Sequence, residues 1–185
     1  MKNHIVRIAV FGIMSVTAAS AQAQTKPLES IDAGVEIAAV NQRSIVPALS
    51  VVSVNQVAQL DENGGDMIVA TLSNGLRFEV RNVACEEAVE DTPPHCRGMY
   101  MISRWDALPA NMETQWSVAE QNFRLDHPAV NAGRAEDGSP YVARYVIADY
   151  GINQGNLIAE FANFARSVTD FQNLLGSVAS PSSGE

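Results

Sequence analysis

Cysteine is nearly absent: Cys85 and Cys96 are the only two in 185 residues. No C-x-x-C pair, no C-x₂₋₄-C and no H-x₃₋₅-H spacing occurs, which removes the usual redox motif and the usual structural zinc patterns. Basic residues are also few, 12 Lys and Arg against 21 Asp and Glu. No basic cluster exists, so binding to nucleic-acid phosphates or anionic headgroups lacks its electrostatic footing. The chain carries no G-x-S-x-G, no H-E-x-x-H, no phosphate loop and no dinucleotide fingerprint. There is no internal repeat, and no apolar run reaches the roughly 20 residues that a membrane-spanning helix needs.

What is present begins at the N-terminus, "MKNHIVRIAVFGIMSVTAASAQAQ". Lys2 and Arg7 form a positive region, Ile8–Ala19 a short apolar one, and "AQA" (Ala21–Ala23) puts small residues at the −3 and −1 positions of a cleavage site. This is the pattern of a secretory signal peptide over residues 1–23, cut after Ala23. The expected location is periplasmic or secreted, and no cysteine at the cut marks a lipid anchor. Removing 23 of 185 residues leaves a mature chain of 162, enough for one domain. With Lys2 and Arg7 gone, 10 basic residues face 21 acids, a net charge of −11 with neutral histidines. Such a surface favours solubility and suits partners that are proteins or basic peptides.

Export decides how "ACEEAVEDTPPHC", Ala84–Cys96, is read. In an oxidising compartment Cys85 and Cys96 are expected to pair as a disulfide, worth about 3 kcal/mol through restriction of the unfolded chain. Two alternatives stay open: a redox pair, or a metal-binding sensor built from Cys85, His95 and Cys96 with oxygens from the acidic stretch Glu86–Asp91.

The remaining chain reads as short strands joined by turns, with three helices. Residues 24–43 form a linker or a short helix. A helix is expected near 44–51, with Pro47 in its first turn, and a strand near 54–60. "DENGGD" turns into "MIVATLS"; Asn74-Gly75 marks a hairpin. "LRFEVR" alternates apolar and charged residues, as a half-buried strand does, and "GMYMISRW" is its neighbour beyond the cysteine loop. Asn111 is a candidate N-cap for a helix whose Met112, Trp116, Ala119 and Phe123 share one face, and "DHP" ends it. "AVNAGRA" and "YVARYVIADY" are strands flanking "EDGSP". Asn153 or Asn156 caps a last helix with the clearest apolar stripe in the chain, Leu157, Ile158, Phe161, Phe164, Ala165, Val168, Phe171, Leu174 and Leu175. Residues 177–185 are expected to be a disordered tail. The order α-β-β-β-β-α-β-β-α, with strands in hairpins, predicts a single α+β domain over 44–176, an antiparallel sheet with helices on one face.

No catalytic constellation emerges. His95 and His127 are the histidines of the mature chain, both in loops and both read as solvated. Glu136 and Asp137 fit an acid-rich turn better than a carboxylate pair. A small carboxylate-dependent hydrolase of the envelope is the enzymatic alternative, since two acids suffice for glycoside hydrolysis. Met99, Met101 and Met112 read as core fillers. Neither a cofactor nor a resident metal is expected.

From about Asn63 to Leu175 the chain resembles the YbjN family of bacterial proteins. The features follow one another: the "GGD" turn into a strand, "NGLRFEVRNVAC" ending in a cysteine, "CRGMYMISRW" entering a long apolar strand, a helix with "AEQNFRL", then "EDGSPYVARYVIADYGI" and the helix "NLIAEFANFARSVTDFQNLL". The family often has Trp-Asn in the middle helix, where this chain has Gln121 before Asn122. The resemblance implies a fold like that of type III secretion chaperones, a homodimer, and a role as a sensory-transduction or stress regulator without an established reaction; with the acid excess and the lack of a catalytic constellation, the expected role is a protein-binding, chaperone-like or regulatory module of the envelope. It carries over no catalytic residue, and it supports a bridge between Cys85 and Cys96.

Overall fold

The computed structural model describes residues 25–86, 95–109 and 112–179. The expected signal peptide, residues 87–94 of the cysteine loop, Asn111 and residues 180–185 lie outside the described residues. The elements are a 3₁₀ turn (Leu28–Ser30), β1 (Glu36–Ile37), α1 (Gln42–Val52), β2 (Asn55–Leu60), β3 (Asp66–Thr71), β4 (Arg77–Cys85), β5 (Cys96–Arg104), α2 (Glu113–Asp126), β6 (Asn131–Arg134), β7 (Pro140–Ile147), β8 (Ile152–Asn153) and α3 (Gln154–Ala179). The α+β class and the expected order of the longer elements hold, with β1 and β8 added as a two-stranded antiparallel pair. No helix among the described residues is long and apolar enough to cross a membrane.

The long strands form one antiparallel sheet, ordered β2-β3-β4-β5-β7-β6. Three of its hairpins share one closure. At Leu72–Leu76 the Gly75 N–H donates to the Leu72 carbonyl (2.9 Å) and the Leu72 N–H to the Leu76 carbonyl (2.8 Å). Asp61–Gly65 and Ala135–Ser139 close in the same way. Gly75 has φ +84°, so the expected Asn-Gly hairpin is a three-residue loop that ends in a left-handed glycine.

Period-2 alternation puts Ile68, Ala70, Phe78, Val80, Met99 and Met101 on one face, all buried. There α3 lays down Leu157, Phe161, Phe164, Val168 and Phe171, each with no exposed surface. Burial contributes about 1.5–3 kcal/mol for each such side chain. Phe164 meets Phe78 edge-on at 5.3 Å, and Phe171 lies within 4.9–5.4 Å of Trp105, Trp116 and Phe123. Phe171 therefore locks α2 and the end of β5 to α3. Helix α1 packs beside α3 on the same side.

Three boundaries differ from expectation. Residues 25–43 are not a linker: Ile37 and Val40 are buried, β1 pairs with β8, and Val40 exchanges backbone hydrogen bonds with Cys96. Their partners lie more than 50 residues away, so no local pattern announces them. Helix α1 starts earlier than expected because Asn41 and Ser44 form a reciprocal capping box, both bonds 2.9 Å, which leaves Pro47 in the helix interior. Helix α3 runs on to Ala179, since Val178 continues the buried stripe past Leu175, so the expected tail does not begin at 177.

The Phe171→Ala protein is expected to lose about 3–5 kcal/mol in chemical denaturation. Leu125→Ala, at a 73% exposed position on α2, should stay within about 0.5 kcal/mol of the parent. Equal losses would contradict the packing described.

Candidate partner-binding surface

All three helices cover one face of the sheet, and no described element covers the other. Its side chains run in rows across the strands. One row is Met67–Arg81–Tyr100–Tyr145, each member paired in register with the next. The next is Val57–Val69–Glu79–Ile102–Ala143. At the far end Arg77 and Arg104 leave β4 and β5, with Arg104 opposite Tyr141. Within this face Met67, Ile102 and Ala143 are buried, while Val57 (48%), Tyr145 (51%) and Ile147 (69%) are open.

Two glycines flatten the surface. A Cβ at Gly98 would lie 2.7 Å from the Tyr145 hydroxyl and 2.9 Å from the Val146 carbonyl; one at Gly133 would lie 2.9 Å from the Tyr141 hydroxyl. Each ring thus lies over a neighbouring strand's bare backbone, an arrangement in which cross-strand aromatics compensate for the missing side chain. The tyrosines are pressed onto the sheet as a flat, half-polar platform.

The face carries three arginines, of which Arg81 is paired with acids and Arg77 and Arg104 are exposed. Arg77, Arg81 and Arg104 share it with Glu79 as the only acid of the rows named above. Arg81 donates to Glu79 (2.7 Å) and stands 3.9 Å from Asp61. The bond to Glu79 holds the guanidinium proton more tightly than usual. Burial, with Tyr141 adding to it, pushes the Tyr100 phenol up, so it stays neutral. Asp61 is held below the ordinary carboxylate range first by the backbone N–H groups of Gly65 and Asn63, and then by Arg81.

The Cys85–Cys96 disulfide is formed, S–S 2.06 Å, between opposed residues of β4 and β5. Cys96 is buried and Cys85 exposed. With both sulfurs in the bond, Cys85, His95 and Cys96 do not assemble as a ligand set. Glu86 instead pairs with Arg97 at 2.6 Å on the surface. Asp137 accepts from the Ser139 N–H (2.9 Å), so Glu136–Asp137 is a self-capped turn.

His127 departs from its expected solvated place. It stacks on Phe123 at 4.3 Å, its Nδ1 lies 3.3 Å from Ser167 Oγ and its Nε2 3.6 Å from Asp170. The residue types are those of a hydrolytic triad, but their setting is not. Ser167 is buried in mid-helix and its hydroxyl donates to the Asn163 carbonyl at 3.1 Å. The neighbouring N–H groups are tied up in α3, and an acyl-transfer site needs free donors beside an accessible nucleophile. This cluster fastens the α2–β6 connection to α3. Sequence reading missed it, because His127 and Ser167 are 40 residues apart and share no motif.

Comparison with protein-family models and with curated proteins finds no match in either.

Both Cys85→Ser and Cys96→Ser should lose the bridge's roughly 3 kcal/mol. Cys96→Ser is expected to lose about 1–3 kcal/mol more by placing a hydroxyl in the core. Denaturant titration of the pair checks this, and equal stabilities would contradict the asymmetry in burial. Asp61, with its depressed pKa, stabilises the folded state above the ordinary carboxylate range and loses that contribution as pH falls through it. Asp61→Asn should therefore flatten the acid side of the stability profile, measured by denaturation at a series of pH values.

Proposed function

We propose that this chain is a non-enzymatic, exported protein-binding module of the YbjN kind, chaperone-like or regulatory, that takes a partner segment on the open sheet face. The observation that carries the reading is that face itself: tyrosines laid flat over Gly98 and Gly133, open apolar side chains at Val57 and Ile147, and arginines in a chain otherwise rich in acids. Tyrosine and arginine are the side chains that most often dominate protein interfaces. The local charge favours an acidic segment with apolar or aromatic residues, rather than the basic partner that bulk composition suggests. The signal-like N-terminus and the formed disulfide support an oxidising compartment outside the cytoplasm.

An array of extended peptides, acidic-aromatic sequences beside their charge-inverted counterparts, tests the reading. The parent should retain the acidic set, with affinity falling as salt rises. Arg77→Glu/Arg104→Glu should weaken that binding at least about tenfold, roughly 1.4 kcal/mol, with unfolding unchanged because both side chains are exposed. Preference for the basic peptides, or indifference to the double reversal, would overturn it.

A further inference from the structure

Strand β2 is the outer edge of the sheet. The Asp61 N–H donates to the Gly65 carbonyl, and this fixes the alternation along β2. Gln56, Ala58 and Leu60 direct their N–H and C=O groups away from β3. Among the described residues nothing pairs with them. Edge strands are normally blunted by lysine, proline, a bulge or shortness. "NQVAQL" has none of these: it holds no charge and no proline, and all six residues pair regularly with β3. The opposite edge strand, β6, is four residues long and carries Arg134.

We propose that β2 is a self-association edge, pairing antiparallel with β2 of a second copy so that Ala58 faces Ala58 across a two-fold axis. Symmetry restricts the choice. A two-fold axis normal to the sheet requires some β2 residue to lie opposite its own copy. Centring on Ala58 uses the outward groups of Gln56, Ala58 and Leu60 in both copies. It also joins the two sheets with their helices on the same side.

Three observations select a second copy over other occupants. First, the strand is uncharged, so a chain of net charge −9 can meet itself there without opposed like charges. Second, the acids that follow β2, Asp61 and Glu62, fall at opposite ends of the antiparallel pair. In this register the two copies of Asp61 are about 20 Å apart, beyond a screening length of about 8 Å. Third, the edge has its own apolar complement. A groove of about 370 Å³ between α1 and β2 is lined in part by Val46, Gln56, Ala58 and Ile68. The register sets Leu60 of each copy, 65% exposed in the single chain, opposite Gln56 of the other on that side of the sheet. The contact is small beside the roughly 1,200–2,000 Å² of a standard stable interface, so the dimer is concentration-dependent. The inference stands apart from partner binding on the open face.

Sedimentation equilibrium of the purified protein across a wide concentration range tests it. The parent should pass from monomer to dimer. Ala58→Lys, at an exposed position, should remain monomeric with unchanged thermal unfolding at low concentration. A short bismaleimide should couple the Ala58→Cys protein to itself, and leave Asn55→Cys, whose copies would lie about 20 Å apart, largely uncoupled. A parent that stays monomeric throughout, or an Ala58→Lys protein that still dimerises, overturns the proposal. Coupling at Asn55 but not at Ala58 overturns the register.

Discussion

The fold depends on one constraint: α3 carries five phenylalanine and aliphatic positions with no exposed surface, and the six-stranded sheet has one face to cover them. Burying that stripe fixes the helix across the strands. Phe171 then gathers Trp105, Trp116 and Phe123 around it, which brings α2 to the same side. Helix α1 fills the remaining length. With every helix committed to one face, the other is left to its own side chains.

Those side chains make that face something other than a simple solvated surface. Met67 and Ile102 are buried without a covering helix, and Arg81 stands opposite Met67 across the strands. Glycine at 98 and 133 lets Tyr145 and Tyr141 lie down, so the platform is set by backbone as much as by side chains. The disulfide ties β4 to β5 at the end of this sheet. Val40, bonded to Cys96, ties the N-terminal segment to the same point. The segment expected to be a linker is thus fastened to the domain beside the only covalent crosslink among the described residues.

Much of this was legible in sequence, and the limits have a physical cause. The α3 stripe declares itself by its period, from Leu157 to Leu175, and the hairpins by glycines at 64, 75 and 138. The alternation of "LRFEVR" correctly sorts Phe78 and Val80 from Arg77, Glu79 and Arg81. Hidden were features whose partners are distant. Val40 becomes core only because Cys96 lies beside it, and β1 exists only because β8 returns to it. His127 is packed because α3 brings Ser167 and Asp170 to it. Bulk charge pointed toward basic partners, whereas Arg77, Arg81 and Arg104 are spread over β4 and β5 and come to one face only when the strands pair.

In the function proposed above, the uncovered face, and not the helical one, meets a partner. A photoreactive phenylalanine analogue placed at Tyr145, and separately at Val118 on the exposed side of α2, tests it in living cells. One reproducible adduct with a second protein is expected from position 145 and none from position 118. Adducts from 118 alone, or equal and diffuse labelling from both, would contradict it.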